Sequence, residues 1–386
     1  MTLLKQSLVM SRLSLATLPQ RFWPALIIVL SMTCVAGVLV AMLSETVGLH
    51  RTYQTGGSAD RAIVMPSDSL SEYGNGISRN DATTIMSAPG IARRRDGSLA
   101  ADPEILFWVP PTEGYRVGSP ELRGVGPAGL ALRPGFVIVS GRSFQPGRQE
   151  LIVGVRARHA FGLRVGDKVI LPNGEWPIVG AFAAGGGILE GELVGDANTI
   201  MQTSSIAGFG SILVQLDPVS AFPAFRHWLT TNPALTVTVE RQSDYYLRTA
   251  SRYSAFFTYL AYTVGAIMGL GALFGSVKLM HASVSSRTRE IATLRALGYR
   301  PLSCAIAILF EMSALSLAGA CFGVGIAWLL FNGKVMTGLT NAFDLSVSPG
   351  LILLGLGWAL SIAILGSLPP AIRAARLSVV DALREV

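Results

Sequence analysis

Residues 253–277 read YSAFFTYLAYTVGAIMGLGALFGSV, a run of 25 residues without a charged side chain. The hydrocarbon core of a bilayer is about 30 Å thick, and roughly 20 apolar residues in a helix cross it. This stretch is therefore long enough to span a membrane once. Only 14% of the 386 residues are charged, whereas soluble domains carry about 25%. The composition thus excludes an ordinary soluble enzyme.

Three further stretches of this kind occur in the chain. They are residues 22–44, residues 301–333 with Glu311 as the single charge, and residues 345–372. The second of these lacks an internal turn, so we expect one tilted helix there. The first exceeds the 7–15 apolar residues of a signal-peptide core and is predicted to be a retained anchor. The sequence therefore predicts four transmembrane helices.

The distribution of charge orients these helices. Residues 45–252 hold 19 basic and 19 acidic residues, and the rest of the chain carries the whole net charge of +7. The surplus lies before the first span, between the second and third, and after the fourth. Basic loops stay in the cytoplasm, so both termini and residues 278–300 are predicted inside and residues 45–252 outside. Topology and lipid headgroups explain this surplus, so we expect membrane lipid and no nucleic acid as a partner.

The outer block is predicted to be an α+β domain inserted between helices 1 and 2. Turn residues separate short strand-like runs, and Asn80 or Asp81 can cap a helix. The Gly-rich stretch 183–210 is expected to be a mobile surface segment. Residues 1–21 are predicted to form a cytoplasmic amphipathic helix on the inner membrane surface, with an apolar side that includes Leu8. The predicted strands cover residues 61–65, 105–109, 136–140, 150–155, 168–171 and 176–181, followed by a strand, a helix and a second strand within 211–240.

A search for catalytic motifs finds none. Residues 162–169 come nearest to a phosphate-binding loop, but their spacing and last residue differ from it. The four histidines are scattered singly, without the spacing of metal ligands. No G-x-S-x-G motif occurs. We therefore expect no catalytic residue, no metal site and no ATP hydrolysis by this chain alone.

Two features of the spans carry more information. Glu311 lies about ten residues into its span, so it needs a partner, for which Lys278 and Arg295 are candidates. A bundle-locking contact and proton coupling are both compatible with it.

Glycines spaced four apart allow helix backbones to approach closely. They are Gly265, Gly269, Gly271, Gly275, Gly319 and Gly323.

The loop after the second span reads SVSSRTREIATLRALGYRP over residues 283–301. Ile291, Leu294 and Leu297 form an apolar stripe on a helix predicted over about 283–298. Gly298 and Pro301 end that helix. Such a helix can dock into a partner. A basic loop whose only role is to set the orientation in the membrane would have a similar sequence, so both interpretations stay open.

This loop, with the order of one span, a large outer domain and three spans, resembles FtsX/MacB-type ABC transporter permeases. The family pattern R-x-x-E-I-(G/A)-x-x-(R/K)-A-(L/I)-G falls on residues 287–298, and residues 369–385 resemble the family's closing segment, with Val379 in place of proline. Residues 88–91 and 166–169 look like pieces of a MacB-like periplasmic domain. The resemblance implies that the loop is the coupling element on an ATPase. The residues concerned are Arg287, Arg289, Glu290, Ile291, Leu294, Arg295, Leu297 and Gly298.

The resemblance also implies the assembly. Two ABC ATPase subunits would bind ATP and Mg, two permease copies would pair, and this chain would bind no cofactor. A periplasmic adaptor and an outer-membrane duct are compatible further partners. The implied location of this chain is the inner membrane of a bacterium. The implied organisation is an amphipathic helix at 1–21, helix 1 at 22–44, the MacB-like domain at 45–252 and the FtsX-like domain at 253–386. The last contains spans at about 253–279, 302–331 and 348–369 and a tail at 370–386.

Two functions fit this organisation. One is a permease that exports a hydrophobic compound, peptide or lipoprotein. The other is a mechanotransmitter that, like FtsX, regulates an extracytoplasmic enzyme without transport. The size of the outer domain, about 200 residues, and its MacB-like pieces favour export.

Overall fold

The computed structural model describes residues 3–16, 19, 22–109, 119–172, 174–204, 206–337 and 342–376; the side chains of residues 3–5, 13–15 and 291 lie outside this description. The chain divides into two compact units. We call Met1–Val47, Ala255–Asn332 and Ser346–Val386 the helical unit, and Gly48–Ser254 with Gly333–Leu345 the sheet unit. The outer domain is thus inserted into the helical part of the chain, as expected from the hydropathy.

Four helices in the described part of the chain are long and apolar enough to cross a membrane, which confirms the predicted fold class. They are α2 (Phe22–Gly56), α7 (Gln242–Ser286), α9 (Pro301–Phe331) and α10 (Pro349–Arg376). The short helices α1 (Leu3–Ala16) and α8 (Thr288–Ala296) belong to the same unit.

Helices α2 and α7 are longer than the predicted spans. Helix α2 continues from residue 44 to Gly56, and α7 begins at Gln242 rather than at residue 253. Hydropathy locates only the part inside the bilayer, whereas helical hydrogen bonds continue in water until a cap or a breaker ends them. Helix α10 similarly passes through Pro369 and Pro370 to Arg376, so the predicted tail begins later. Residues 377–386, which include Val379, lie outside the described residues.

The sheet unit is built on a ten-stranded mixed sheet within the described residues. Its strands run in the order β10-β1-β9-β2-β3-β8-β5-β7-β4, and β6 pairs with β7. The β3–β8 and β5–β7 pairs are parallel. The strands are β1 (Arg61–Pro66), β2 (Ala101–Trp108), β3 (Glu121–Val125), β4 (Phe136–Gly141), β5 (Leu151–Gly154), β6 (Lys168–Leu171), β7 (Gly174–Ala184), β8 (Glu192–Asp196), β9 (Ser211–Gln215) and β10 (Val237–Arg241).

Four helices accompany the sheet: α3 (Arg79–Met86), α4 (Val155–Phe161), α5 (Ala197–Ser204) and α6 (Phe222–Thr231). A hairpin of β11 (Val335–Thr337) and β12 (Ala342–Asp344) connects α9 to α10 and belongs to the sheet unit. Ala342 of this hairpin is fully buried in the main apolar core of that unit. The connection between the third and fourth spans is therefore part of the outer fold.

Several local predictions are confirmed, including the strands at 61–65, 136–140 and 168–171. The prediction of a mobile segment at 183–210 is wrong, because it holds β8, α5 and the buried Ile188 and Leu189. Its glycines serve close packing: a Cβ on Gly191 would lie 2.7 Å from the Ala342 carbonyl oxygen. The helix at residue 80 is capped by Ser78, and Asp81 completes its capping box at N3.

Candidate functional site

The loop between the second and third spans contains a short helix with a defined end. Helix α8 begins after Arg287, so the predicted start at residue 283 is wrong; residues 283–286 complete α7. At its end, Tyr299 N donates to Leu294 O at 3.2 Å and Gly298 N donates to Arg295 O at 3.0 Å. Gly298 has a φ of 95°, which completes a Schellman motif.

The predicted apolar stripe of α8 does not face one side. Leu294 is half-buried against an apolar cluster from α1, α2, α7, α9 and α10, whereas Leu297 is 73% exposed. Leu297 is the C-cap residue and lies at the end of the helix. The exposed positions are Arg289, Glu290 and Leu297, Arg295 is half-buried, and the side chain of Ile291 lies outside the described residues.

Glu311, the carboxylate in the third span, has a cationic partner. Arg287 Nη1 lies 3.6 Å from Glu311 Oε2, and the two side chains are 13% and 6% exposed. Arg287 Nε also lies 3.8 Å from Glu290 Oε2. The expectation that Glu311 needs a partner therefore holds, although the sequence pointed to Lys278 and Arg295. The pair joins the start of α8 to α9.

Helix α1 buries three polar side chains and Met10 against its unit, and it leaves Leu8 of the predicted apolar side exposed. Gln6, Ser7 and Ser11 are buried, whereas Leu8 is 57% exposed. Gln6 Nε2 donates to Gly298 O, and Gln6 Oε1 accepts from Arg300 N, each at 3.4 Å. The amphipathic pattern indicated a helix but could not reveal this contact, because the acceptor and donor lie in a loop almost 300 residues away.

The predicted glycine contacts divide into two groups. A Cβ on Gly319 would lie 2.4 Å from the carbonyl oxygen of Val29 in α2. A Cβ on Gly323 would lie 2.2 Å from the carbonyl oxygen of Thr33 in the same helix. Thr33 Oγ1 also donates to Gly319 O at 2.9 Å. Because no side chain fits between these backbones, α2 and α9 pack in direct contact.

Glycines of α7 behave differently. Gly265 approaches Leu39 and Gly269 approaches Ile362, at 3.0 and 3.3 Å from a built Cβ. No atom lies within 4 Å of a Cβ built on Gly271 or Gly275. Both instead line a groove of about 400 Å³ between α2 and α7. Gly271 and Gly275 were predicted to pack against another helix, but they make no such close contact within the described residues of the chain.

The outer ends of α2 and α7 are embedded in the sheet unit by polar and aromatic contacts. Gln242 Oε1 accepts from Ser58 N at 3.2 Å, and Tyr245 OH accepts from Glu72 N at 3.0 Å. The rings of Tyr53 and Tyr246 meet edge to face, with centroids 5.7 Å apart. These contacts join the ends of the two helices to each other and to loops of the sheet unit.

Next to this attachment lies a buried cluster of charges that sequence analysis missed. Arg123 donates to Glu72, Glu104 and Glu192 at distances of 2.6–3.2 Å. Arg133 makes a bidentate contact with Glu104 at 2.8 Å. All five side chains are less than a tenth exposed.

The cluster shifts the ionisation of its carboxyl groups. Burial, reinforced by the negative charge of Glu104, raises the pKa of Asp102 to about 7. Burial also raises the pKa of Glu192. For Glu104 burial acts in the same direction, but Arg133 and Arg123 outweigh it and hold the pKa of that carboxyl below its usual value. Deep burial of this kind is retained only with close pairing.

Comparison with protein families matches two parts of the chain. The MacB-like periplasmic core domain matches residues 25–231, more than half of the chain, and the FtsX-like permease C-terminal domain matches residues 262–379. The chain is a member of the FtsX/MacB-type permease family.

Two relatives of this permease illustrate the similarity. The macrolide export ATP-binding/permease protein MacB 2 of Aeromonas hydrophila is 32% identical over 141 residues, which is 36% of this chain and 22% of that protein. The ABC transporter permease YknZ of Bacillus subtilis is 28% identical over 124 residues, 31% of this chain and 30% of that one. The matched part thus spans less than a third of either relative.

The permease was also compared with solved structures. The periplasmic region of MacB from Actinobacillus actinomycetemcomitans aligns with a TM-score of 0.38 and 16% identity, covering 50% of this chain and 94% of that one. The extracellular domain of YknZ from Gram-positive bacteria aligns with a TM-score of 0.36 and 15% identity, covering 47% and 99% respectively.

Proposed function

We propose that this permease is the membrane subunit of an ATP-driven complex in the bacterial inner membrane. Two copies pair, and two ABC ATPase subunits bind ATP and Mg and press on helix α8. The permease itself is not catalytic. It converts closure of the ATPases into motion of the outer domain, which drives a hydrophobic compound, peptide or lipoprotein away from the outer face of the membrane.

One observation carries this proposal: α7 is a single helix from Gln242 to Ser286. At 1.5 Å per residue its 45 residues extend over about 67 Å. Its first turns are fixed to the sheet unit through Gln242 and Tyr245. Its last turn leads through Arg287 into α8. We infer that a displacement of α8 acts on a helix that continues along the chain into the outer domain.

The surface of α8 supports the assignment of a docking site. Leu297 and Glu290 are exposed, and the half-buried Leu294 anchors α8 to its own bundle. An anchored helix with an exposed apolar residue and exposed charges suits insertion into a groove of a partner. We propose Arg289, Glu290 and Leu297 as the residues that touch the ATPase.

The class of cargo rests on the relatives. One of them, MacB 2 of Aeromonas hydrophila, is named for macrolide export. The match to the MacB-like core domain favours export over signalling to an extracytoplasmic enzyme. An adaptor and an outer-membrane duct would extend the pathway for the cargo.

The test is reconstitution. ABC ATPases of the source organism are co-expressed one at a time with the tagged permease, and the one that co-purifies is placed with it in nanodiscs. A spin label on Arg252→Cys, at an exposed position of α7, in a background without native cysteines then reports the distance between two copies. We expect that distance to change on addition of ATP and Mg.

A catalytically inactive ATPase supplies the control and should leave the distance unchanged. The coupling function would be refuted if no ATPase co-purified with the permease. It would also be refuted if the distance between the two spin labels did not change on addition of ATP. A distance change without release of cargo, together with activation of a co-expressed cell-wall hydrolase, would instead favour the mechanotransmitter.

A further inference from the structure

Helix α8 is held at both ends by elements other than α7. At its start, Arg287 Nη1 lies 3.6 Å from Glu311 Oε2 of α9. At its end, Gln6 of α1 donates to Gly298 O and accepts from Arg300 N. Gln6 also accepts from Ser303 Oγ, in the first turn of α9, at 3.4 Å. One amide side chain thus joins the end of α8 to the start of α9.

The surroundings of these contacts are apolar. Glu311 and Gln6 are 5% and 8% exposed, and Ser303 is fully buried. Met10 of α1 lies against Cys304, with Sδ and Sγ 3.8 Å apart. A buried carboxylate or amide is costly unless it has partners. The contacts to the α8 segment therefore resist separation of α8 from α9.

Helix α9 in turn contacts α2 directly through Gly319 and Gly323. Thr33 of α2 donates to Gly319 O at 2.9 Å. Because no side chain separates the two backbones, a shift of α9 must move α2 or break this contact. Helix α2 continues to Gly56, inside the sheet unit. A route from α8 through α9 to α2 thus exists beside the continuous helix α7.

We propose that Glu311 and Gln6 are positioning residues that fasten the coupling helix α8 to α9, so that α8 drives α9 and α2 together with α7. This inference rests on the proposed function of α8. It assigns a role in coupling to α1, whose polar side packs on α9. Glu311 then acts as a mechanical attachment and not as a carrier of protons.

The experiment uses the permease–ATPase complex in nanodiscs with the spin label at position 252. The variants are Glu311→Gln, Gln6→Leu and the charge swap Arg287→Glu with Glu311→Arg. The matched control is Ser313→Ala, because Ser313 lies on the same helix and its hydroxyl donates to Leu309 O of its own helix. ATPase co-purification and the ATP-dependent distance change are measured for each.

We expect Glu311→Gln and Gln6→Leu to co-purify with the ATPase as the wild type does. The population that responds to ATP should fall about tenfold, within the ~5- to 150-fold range of coupling between sites. The charge swap should recover most of the response, and Ser313→Ala should match the wild type. A wild-type response in both single variants would overturn the inference while leaving the proposed function intact. The proposed function itself would be refuted if the wild-type permease did not bind the ATPase, or if the wild-type complex did not respond to ATP.

Folding is checked separately with the native Cys304. In a background with Cys34→Ser and Cys321→Ser, a short bismaleimide should crosslink Met10→Cys to Cys304 when α1 is docked. If Glu311→Gln fails to insert, the charge swap decides. Restored insertion with a restored ATP response supports the attachment, whereas restored insertion without that response overturns it. If the swap also fails to insert, Gln6→Leu decides: insertion with a reduced ATP response supports the attachment, whereas insertion with a wild-type response overturns it.

Discussion

Arg123 Nε lies 2.6 Å from Glu192 Oε2 in the interior of the sheet unit, where both side chains are at most 2% exposed. The two residues come from β3 and β8, which run parallel. Arg123 also meets Glu72 and Glu104, so one guanidinium holds three carboxylates. The contacts lie beside the point where Tyr245 of α7 accepts from Glu72 N. The ionic cluster therefore stabilises the sheet unit next to the first turn of α7.

Removing Arg123 should destabilise the outer domain strongly. Arg123→Ala leaves three buried carboxylates without their shared cation, and breaking a buried pair in this way costs about 3–5 kcal/mol. Arg142→Ala is the matched control, because Arg142 also pairs bidentately with a glutamate but is 50% exposed. Because water screens an exposed ion pair, the destabilisation by Arg142→Ala should be much smaller. Thermal unfolding of the purified chain measures both, and equal losses would show that the cluster adds no more stability than a surface pair.

The ionisation of Asp102 predicts a pH dependence of stability. Its pKa of about 7 in the folded chain exceeds the value near 4 of an unfolded aspartate. The folded state therefore binds a proton that the unfolded state releases, so this group contributes stability below pH 4 that is lost as pH rises to 7. The loss is at most about 1.4 kcal/mol per unit of pKa difference.

Asp102→Asn should remove this dependence. Asp102 accepts from Gly126 N and Ala128 N, and an amide offers only one acceptor atom, so the variant should be less stable at pH 5. Its deficit should shrink as pH rises from 5 to 8, which unfolding midpoints across that range would measure. Asp68→Asn, at an exposed position, is the control. A deficit that grew with pH would contradict the raised pKa of Asp102.

The spans and their order could be predicted because a bilayer demands long apolar helices whatever the rest of the fold does. The ionic cluster could not. Arg123 and Glu192 are 69 residues apart, and their contact depends on the register of β3 against β8. Charged residues at fully buried strand positions also erase the alternation from which strands are predicted. Both strands were missed for that reason.

For the loop between the second and third spans, sequence patterns predict only part of the arrangement. The cost of burying Glu311 indicated that a partner must exist, since an ionisable group deep in a span is usually paired. Arg287 lies beside it because α7 ends at Ser286 and α8 turns back toward α9. Gln6 carries no sequence signal of its role, because its partners are chiefly backbone groups whose positions depend on the tertiary fold.

The two groups of glycines should respond differently to an added methyl group. In Gly323→Ala the Cβ would lie 2.2 Å from Thr33 O, so α2 and α9 must separate. Overpacking of this kind costs about 1–3 kcal/mol, and the melting temperature in detergent should fall. Gly325→Ala is the control on the same helix, because no atom lies within 4 Å of its Cβ. Equal melting temperatures for the two variants would refute close packing of α9 on α2.

The predicted orientation in the membrane can be tested by labelling. With the three native cysteines replaced, Asp68→Cys should react with an impermeant maleimide applied from outside, once any outer membrane is removed. Ser286→Cys, at an exposed position near the end of α7, should react only after the membrane is opened. External labelling at position 286 would place the basic loop outside, and α8 could then not contact an ATPase.

The last prediction separates docking from anchoring on α8. Leu297→Ala removes a side chain that is 73% exposed, so the fold should tolerate it, but an apolar contact with the ATPase would be lost. Burying a leucine at an interface contributes about 1.5–3 kcal/mol, so ATPase affinity should fall roughly 10- to 100-fold. Leu294→Ala should instead lower the melting temperature, because Leu294 packs against the apolar cluster of its own bundle.

Glu290→Gln tests the charged part of the same surface. Its carboxylate is 69% exposed and lies 3.8 Å from Arg287, so the change should weaken ATPase binding less than Leu297→Ala does. Ser286→Ala, outside the exposed face of α8, should leave the affinity unchanged. Affinities are compared by titrating the ATPase onto immobilised permease in nanodiscs. If Leu297→Ala bound the ATPase as the wild type does, the exposed face of α8 would not be the docking site, and the loop would serve topology alone.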